Sequence, residues 1–165
     1  MRARLLRAAA RLLALVALVI IVGAPMGLFS GTRPDNLGVH DGRLAPPKPT
    51  PNNVNSQVDA NADPQHYIAP LRYSGDAARA WARLGEIVAR MPRATLIESE
   101  PNYLYVEFRS RIMRFVDDAE FYLDPKTGVI QVRSAARLGR SDFGVNRERI
   151  ESIRAQFVRH RGALQ

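Results

Sequence analysis

The stretch FVDDAEFY, residues 115–122, sets Asp118 and Glu120 two positions apart. Side chains alternate between faces along a strand, so these two carboxylates share one face and Asp117 points to the other. Two carboxylates on one face can serve as general acid and base if their pKa values are pushed apart, or can hold a hard cation. A second stretch, RSAARLGRSDFGVNRERI (residues 133–150), carries five arginines. Within it Arg133, Arg137, Arg140, Ser141, Asp142, Asn146 and Arg147 stand where a strand gives way to a helix. Free N–H groups at a helix start, combined with guanidinium forks, bind anions. Arg147 and Arg149 fall in the first helical turn, where cations oppose the helix dipole unless an anion is present. Each stretch also has a structural reading. Arg133 can pair with Glu120, other arginines can answer Asp117 and Asp118, and Ser141, Asp142 or Asn146 can simply cap the helix.

Other chemistries find little support. Cysteine is missing from the chain, and His40, His66 and His160 lie far apart. Neither a metal site nor a cofactor is therefore expected. No GxSxG, phosphate-binding loop, dinucleotide fingerprint or HExxH occurs. Catalysis would rest on Asp118 or Glu120, as a hydrolase or lyase with arginines holding the developing anion, and the expectation leans away from an enzyme. The net charge of +8 is uneven: Arg2, Arg4, Arg7 and Arg11 precede any acid, leaving 20 basic against 16 acidic residues from Thr32 onward. Half of the total surplus belongs to a membrane-targeting end, so nucleic acid is not an expected partner.

Positioning these residues falls to the rest of the chain. Residues 12–32 contain no charge, a length suited to a bilayer crossing or to a secretory signal. Pro25 would follow the best small-residue cleavage site, which favours an uncleaved signal anchor over residues 1–31. Cleavage, giving a secreted or periplasmic protein, is the alternative. Arginines before the span place the N-terminus in the cytoplasm and the domain outside, anchored to the inner or plasma membrane. Five prolines between residues 33 and 53 make residues 32–53 an extended arm or linker. Residues 54–165 form the domain.

Its first helix is capped by Ser74 or Asp76 and ended by Pro92, with Trp81, Leu84, Val88 and Met91 on one apolar face. The period then changes to two. ATLIESE and YLYVEFRSRIM read as strands, with Leu104, Val106, Phe108 and Ile112 inward and Tyr103, Tyr105, Glu107, Arg109 and Arg111 on an open polar face. A hairpin turning at Pro125–Gly128 pairs Asp124 with Val129, Phe121 with Val132 and Glu120 with Arg133. A helix over residues 146–160 closes the chain, with Ile150, Ile153 and Phe157 inward, joined or not by Val145. The expected fold is α+β: a four-stranded antiparallel meander with helices on one face, preceded by a Pro-rich arm and an N-terminal transmembrane or signal helix.

The string FVDDAEFY…VRSAARLGRSDFGVNRERI, with RPDNLGVHDGRLAPPKPTPNNVNSQ and HYIAPLRYSG upstream, resembles the bacterial and plant family called domain of unknown function 1499. The resemblance spans about residues 33–159. It implies that Asp117, Asp118, Glu120, Arg133, Ser134, Arg137, Ser141, Asp142, Asn146 and Arg147 match motif positions of the family. It also implies an envelope or membrane setting, but no activity. The family's leading segment usually carries two cysteines where this chain has Pro47 and Asn53, which marks the chain as a cysteine-less variant; the resemblance implies that those cysteines bond to each other or share a metal elsewhere in the family, as a staple for the arm and not the chemistry. The expectation is a membrane-anchored extracytoplasmic module that binds an anionic ligand or an envelope protein at residues 133–149. A purely structural envelope protein is the rival reading. Burial discriminates them: arginines sealed beneath the arm favour structure, and arginines open in a cleft favour binding.

Overall fold

A computed structural model describes residues 1–162, with side chains to residue 159. An N-terminal helix α1 (Arg2–Gly23) stands apart, with no buried residue. It is long and apolar enough to cross a membrane or to be a signal sequence. The domain follows as β1 (Asn53–Asn55), β2 (Leu71–Arg72), α2 (Ala77–Ala89), β3 (Ala94–Ser99), β4 (Tyr103–Arg109), β5 (Val116–Asp124), β6 (Val129–Ala136) and α3 (Val145–Gly162). The fold is α+β, as expected.

The four expected strands form the meander β3–β4–β5–β6, and the short β1 and β2 both pair with β6, so the sheet has six strands and not four. The hairpin has the expected register, including Asp124↔Val129, Phe121↔Val132 and Glu120↔Arg133. Its apolar positions meet across the strands only in that alignment, because a one-residue slip would send each to the opposite face.

Helices α2 and α3 cover one face. Leu84, Ile87 and Val88 of α2 and Ile150, Ile153 and Phe157 of α3 pack with Val54, Leu104, Val106, Phe108, Phe121, Ile130 and Val132. Asp76 caps α2, its Oδ1 accepting from the Arg79 N–H at 2.7 Å. Trp81 is half-buried against this core, and its Nε1–H donates to the Glu100 carbonyl. One expectation for the edges needs correction: strand β4 ends at Arg109, so Ile112 is an exposed loop residue and not part of the inward face. Val145 at the start of α3 is exposed and does not join the inward stripe.

The larger correction concerns the other face. It was expected to be open to water, yet Tyr103, Tyr105, Glu107, Asp118, Glu120, Tyr122 and Arg133 are all buried. The Pro-rich segment lies across them. Leu37, Val39 and Leu44 pack on Tyr103, Tyr105 and Tyr122. Leu44 N–H donates to Gln57 Oε1, the Asn55 side chain donates to the Ala45 carbonyl, and the Gly38 N–H reaches Glu120. The sheet therefore has helices on one side and the arm on the other.

Candidate functional site

Glu107 on β4 and Asp118 on β5 are directly opposite each other. Like charges facing across strands repel, so the pairing requires a cation between them. Arg137, just past β6, supplies it: Nη2 donates to Glu107 Oε1 at 2.5 Å and to Asp118 Oδ1 at 2.7 Å, and Nε donates to Asp118 Oδ2 at 3.0 Å. The Tyr105 hydroxyl donates to Asp118 Oδ1 at 2.6 Å. Arg33, from the arm, and Arg109 add their own bonds to Glu107 at 2.7 and 3.0 Å. One residue pair further along, Glu120 accepts from Arg133 Nη1 at 2.6 Å, from the Tyr103 hydroxyl at 2.9 Å and from the Gly38 N–H at 2.8 Å. Two carboxylate centres thus share one buried lattice, and each is tied to the arm, the first through Arg33 and the second through Gly38.

The electrostatics follow from this packing. Burial opposes ionisation of Glu107, but hydrogen bonds from Arg33 and Arg137 overcome it and hold the carboxyl down at about 2. Burial alone would lower the Arg137 pKa, and Asp118 and Glu107 instead raise it above the ordinary arginine value. Burial, with a carboxylate beside each hydroxyl, pushes Tyr103 and Tyr105 up, so both remain hydrogen-bond donors.

A pH dependence follows. A carboxyl whose folded pKa is depressed contributes stability that is complete above its unfolded value and lost as pH falls through the folded one. For Glu107 that window runs from about 4.5 down to about 2. The expected loss across it is roughly 3 kcal/mol. Asp124, lowered against its burial by bonds from Thr127 and the Lys126 N–H, acts in the same sense. Asp117, which burial raises despite Arg149, acts in the opposite one. Urea unfolding at a series of pH values should show a markedly flatter acid limb for Glu107→Gln than for the parent. Parallel curves would contradict this assignment.

The second stretch divides. Arg133 and Arg137 belong to the lattice, with side chains only 4% and 6% exposed. Asp142 stands just ahead of α3 and bonds the N–H groups at its start. Its Oδ2 accepts from the Asn146 N–H and side-chain amide, both at 2.8 Å, and its Oδ1 accepts from the Gly144 N–H. Ser141 Oγ accepts from the Phe143 N–H. The chain's own carboxylate thus takes the position an external anion would use. Replacing Asp142 by alanine should cost about 1 kcal/mol, as for other side chains that satisfy the N–H groups of a helix start, read as a thermal midpoint shift with little change in fold; an unchanged midpoint would deny it this role. Asn146 Oδ1 accepts from Ser134 Oγ and from Arg149 Nη1, and Arg149 Nη2 reaches Asp117 Oδ2 at 2.5 Å. Arg149, a cation in the first turn of α3, has its acid on β5, and its guanidinium stacks 4.6 Å over Phe108. Arg147 donates to the Gln65 carbonyl, and Arg140 is exposed. Among the described residues neither of these two has an acidic partner.

Asp118 and Glu120 are 1% and 0% exposed, with every bond directed inward. Sequence reasoning placed Tyr103, Tyr105 and Glu107 on this face without including them in the site, and it missed Arg33 and Gly38. Tyrosines on a supposedly open face were the available signal, since their rings seek burial while the hydroxyl seeks a partner. Where the resemblance implies cysteines, the Asn53 side chain donates to the carbonyls of Lys48 and Thr50 and accepts from the Lys48 N–H. Hydrogen bonds there close the loop that begins beside Pro47. Among the described residues no cluster of three or more metal-ligating side chains occurs.

A family model described as "Protein of unknown function (DUF1499)" matches residues 43–157. No curated protein and no solved structure matches the chain.

Proposed function

The chain belongs to the family described as Protein of unknown function (DUF1499), whose matched residues include all of the buried lattice except Arg33 and Gly38, and from that premise we propose a membrane-tethered, extracytoplasmic docking module without catalytic activity. One observation carries this reading. Glu107, Asp117, Asp118 and Glu120 are each ion-paired to an arginine of the same chain, so the polar constellation serves to fasten the arm and α3 to the sheet. An acid or base tied to a permanent cation and sealed from water has neither the access nor the protonation change that proton transfer needs. The module's work then lies in a rigid outer surface presented to an envelope partner, held at the membrane by α1 with Arg2, Arg4, Arg7 and Arg11 on the cytoplasmic side.

The cysteine-free chain makes the test direct. A Lys126→Cys variant, labelled in intact cells with a membrane-impermeant maleimide, should react before lysis. Labelling only after lysis would overturn the extracytoplasmic placement. A second reading, anion binding near the start of α3, is favoured by Arg140 and Arg147, which lack an acidic partner among the described residues. Inorganic phosphate at a hundred times its Kd would then stabilise the protein by roughly 2.7 kcal/mol. The shift should vanish in the Arg140→Gln/Arg147→Gln double variant. No shift in the parent would remove this reading.

A further inference from the structure

The end of the domain that α1 runs into carries an unusual surface. Phe143 is 93% exposed, Ile112 70%, Val145 45%, Leu138 43% and Phe115 40%. Phe115, Leu138, Phe143 and Val145 share the lining of one open cavity of about 310 Å³. Ile112 stands on the adjoining loop, which is closed by the Ser110 N–H donating to the Phe115 carbonyl and the Phe115 N–H donating to Ser110 Oγ. Phe143 holds its exposed ring on a backbone at φ +55°, a conformation that costs a bulky residue energy and persists only when its surroundings enforce it. Arg111 and Arg114 flank Ile112 and Phe115 in sequence and Arg140 stands between Leu138 and Phe143, all three exposed and, among the described residues, without an acidic partner. The nearest acids are committed: Asp117 to Arg149, and Asp142 to its cap. A contiguous apolar patch ringed by cations marks an interaction surface.

Its position relative to α1 identifies the occupant. The chain does not extend away from the helix. Leu28 N–H bonds back to the Gly23 carbonyl and Ser30 N–H to the Gly27 carbonyl, a run of tight turns that keeps Phe29 close to the helix end. Phe29 then meets Phe115 edge-on at 5.8 Å. A Cβ on Gly31 would lie 2.8 Å from the Arg137 Cβ and 3.0 Å from the Leu138 Cγ, so the exit segment is pressed against the patch. Length makes the same point. The uncharged part of α1, residues 12–23, rises only about 18 Å at ~1.5 Å per residue, against a hydrocarbon core of about 30 Å. The uncharged residues that follow, with Met26 80% and Leu28 62% exposed, continue the apolar stretch past the helix end to the membrane boundary. Phe115 and Leu138 touch that same exit segment and so lie level with it.

We infer that this face, Ile112, Phe115, Leu138, Phe143 and Val145 with Arg111, Arg114 and Arg140, lies in the headgroup region of the membrane that α1 crosses and prefers anionic lipid. It rests on the tether reading above and names the ligand of the unpaired Arg140 as a lipid phosphate. Aromatic and aliphatic tips enter the interface while guanidinium groups remain at headgroup level, the division that interfacial anchors use.

The test uses the full chain, whose lack of cysteine allows single nitroxide labels. Phe143→Cys and Ile112→Cys report the face, and Lys126→Cys, in the turn at the far end of β5, is the control. Each is reconstituted into phosphatidylcholine vesicles with and without phosphatidylglycerol, and flotation is scored first. The expected result is flotation of all three, with labels at 143 and 112 several-fold more accessible to oxygen than to a water-soluble nickel chelate. The control should show the reverse. Phosphatidylglycerol should deepen the two face labels, and Arg111→Gln/Arg114→Gln/Arg140→Gln should abolish that deepening. Flotation with aqueous labels at 143 and 112 overturns the face and leaves the tether. Spin–spin broadening between copies, without lipid exposure, overturns it in favour of a second copy as occupant. Failure to float overturns the tether and this inference with it.

Discussion

Arg137→Leu should lower the unfolding free energy by about 3–5 kcal/mol, the range for removing one partner of a buried charge network. The substitution keeps much of the side-chain volume but strips the cation from between Glu107 and Asp118, which then face each other across β4 and β5 with Tyr105 as their shared donor. Arg33 and Arg109 still reach Glu107, but Asp118 loses the one ion pair it has among the described residues. The thermal midpoint should fall by roughly 10–20 °C for a domain of this size. Asp118→Asn in the Arg137→Leu background should recover part of the loss, because one of the two repelling charges is then gone. The double-mutant coupling should reach about 1–3 kcal/mol. A loss below about 1 kcal/mol, the value for an exposed pair, would mean that the lattice is open to water.

Glu120→Ala should be of similar size, and its signature should be local as well as global. One carboxylate there receives three donors from three places: Arg133 on β6, Tyr103 on β4 and the Gly38 N–H on the arm. Its removal leaves Arg133 buried without an acid, again a loss of about 3–5 kcal/mol. It also cuts the bond that fixes residues 37–39 over the tyrosines. Arg43, already exposed on the arm, should become the first site cut by trypsin under native conditions. A variant destabilised overall, with its arm still protected at Arg43, would show that Leu37, Val39 and Leu44 hold the arm by packing alone.

The two faces of the sheet were unequally legible in the sequence. The β5–β6 register could be read because a turn at Pro125–Gly128 and matching apolar positions leave one alignment. The stripes of α2 and α3 could be read because Leu84, Val88, Ile150, Ile153 and Phe157 recur at helical spacing and all reach the core. Period-two alternation, however, says only that the two faces differ. It does not distinguish a polar face in water from one satisfied internally beneath a covering segment. The covering segment gave no pattern of its own, since five prolines suppress both periods, and β1 and β2 have only three and two residues. The arginines of the second stretch were recognised as a group, but the acids that Arg133, Arg137 and Arg149 meet are 13 to 32 residues away, on strands whose order had to be known first. Asp117 and Arg149 meet only because α3 returns across the end of β5.

The central claim is that the carboxylate lattice holds the arm as part of the folded body, and the Gly38 amide tests it most directly. That N–H donates to Glu120 Oε1 at 2.8 Å, in a segment otherwise poor in backbone hydrogen bonds. Native-state hydrogen exchange of the full chain should find the Gly38 amide exchanging on the slow timescale of the β5 and β6 amides, and fast only in Glu120→Ala. Exchange of Gly38 in the parent as rapid as that of the exposed Thr32 would contradict the account: the arm would be a loose linker and the lattice an open polar face.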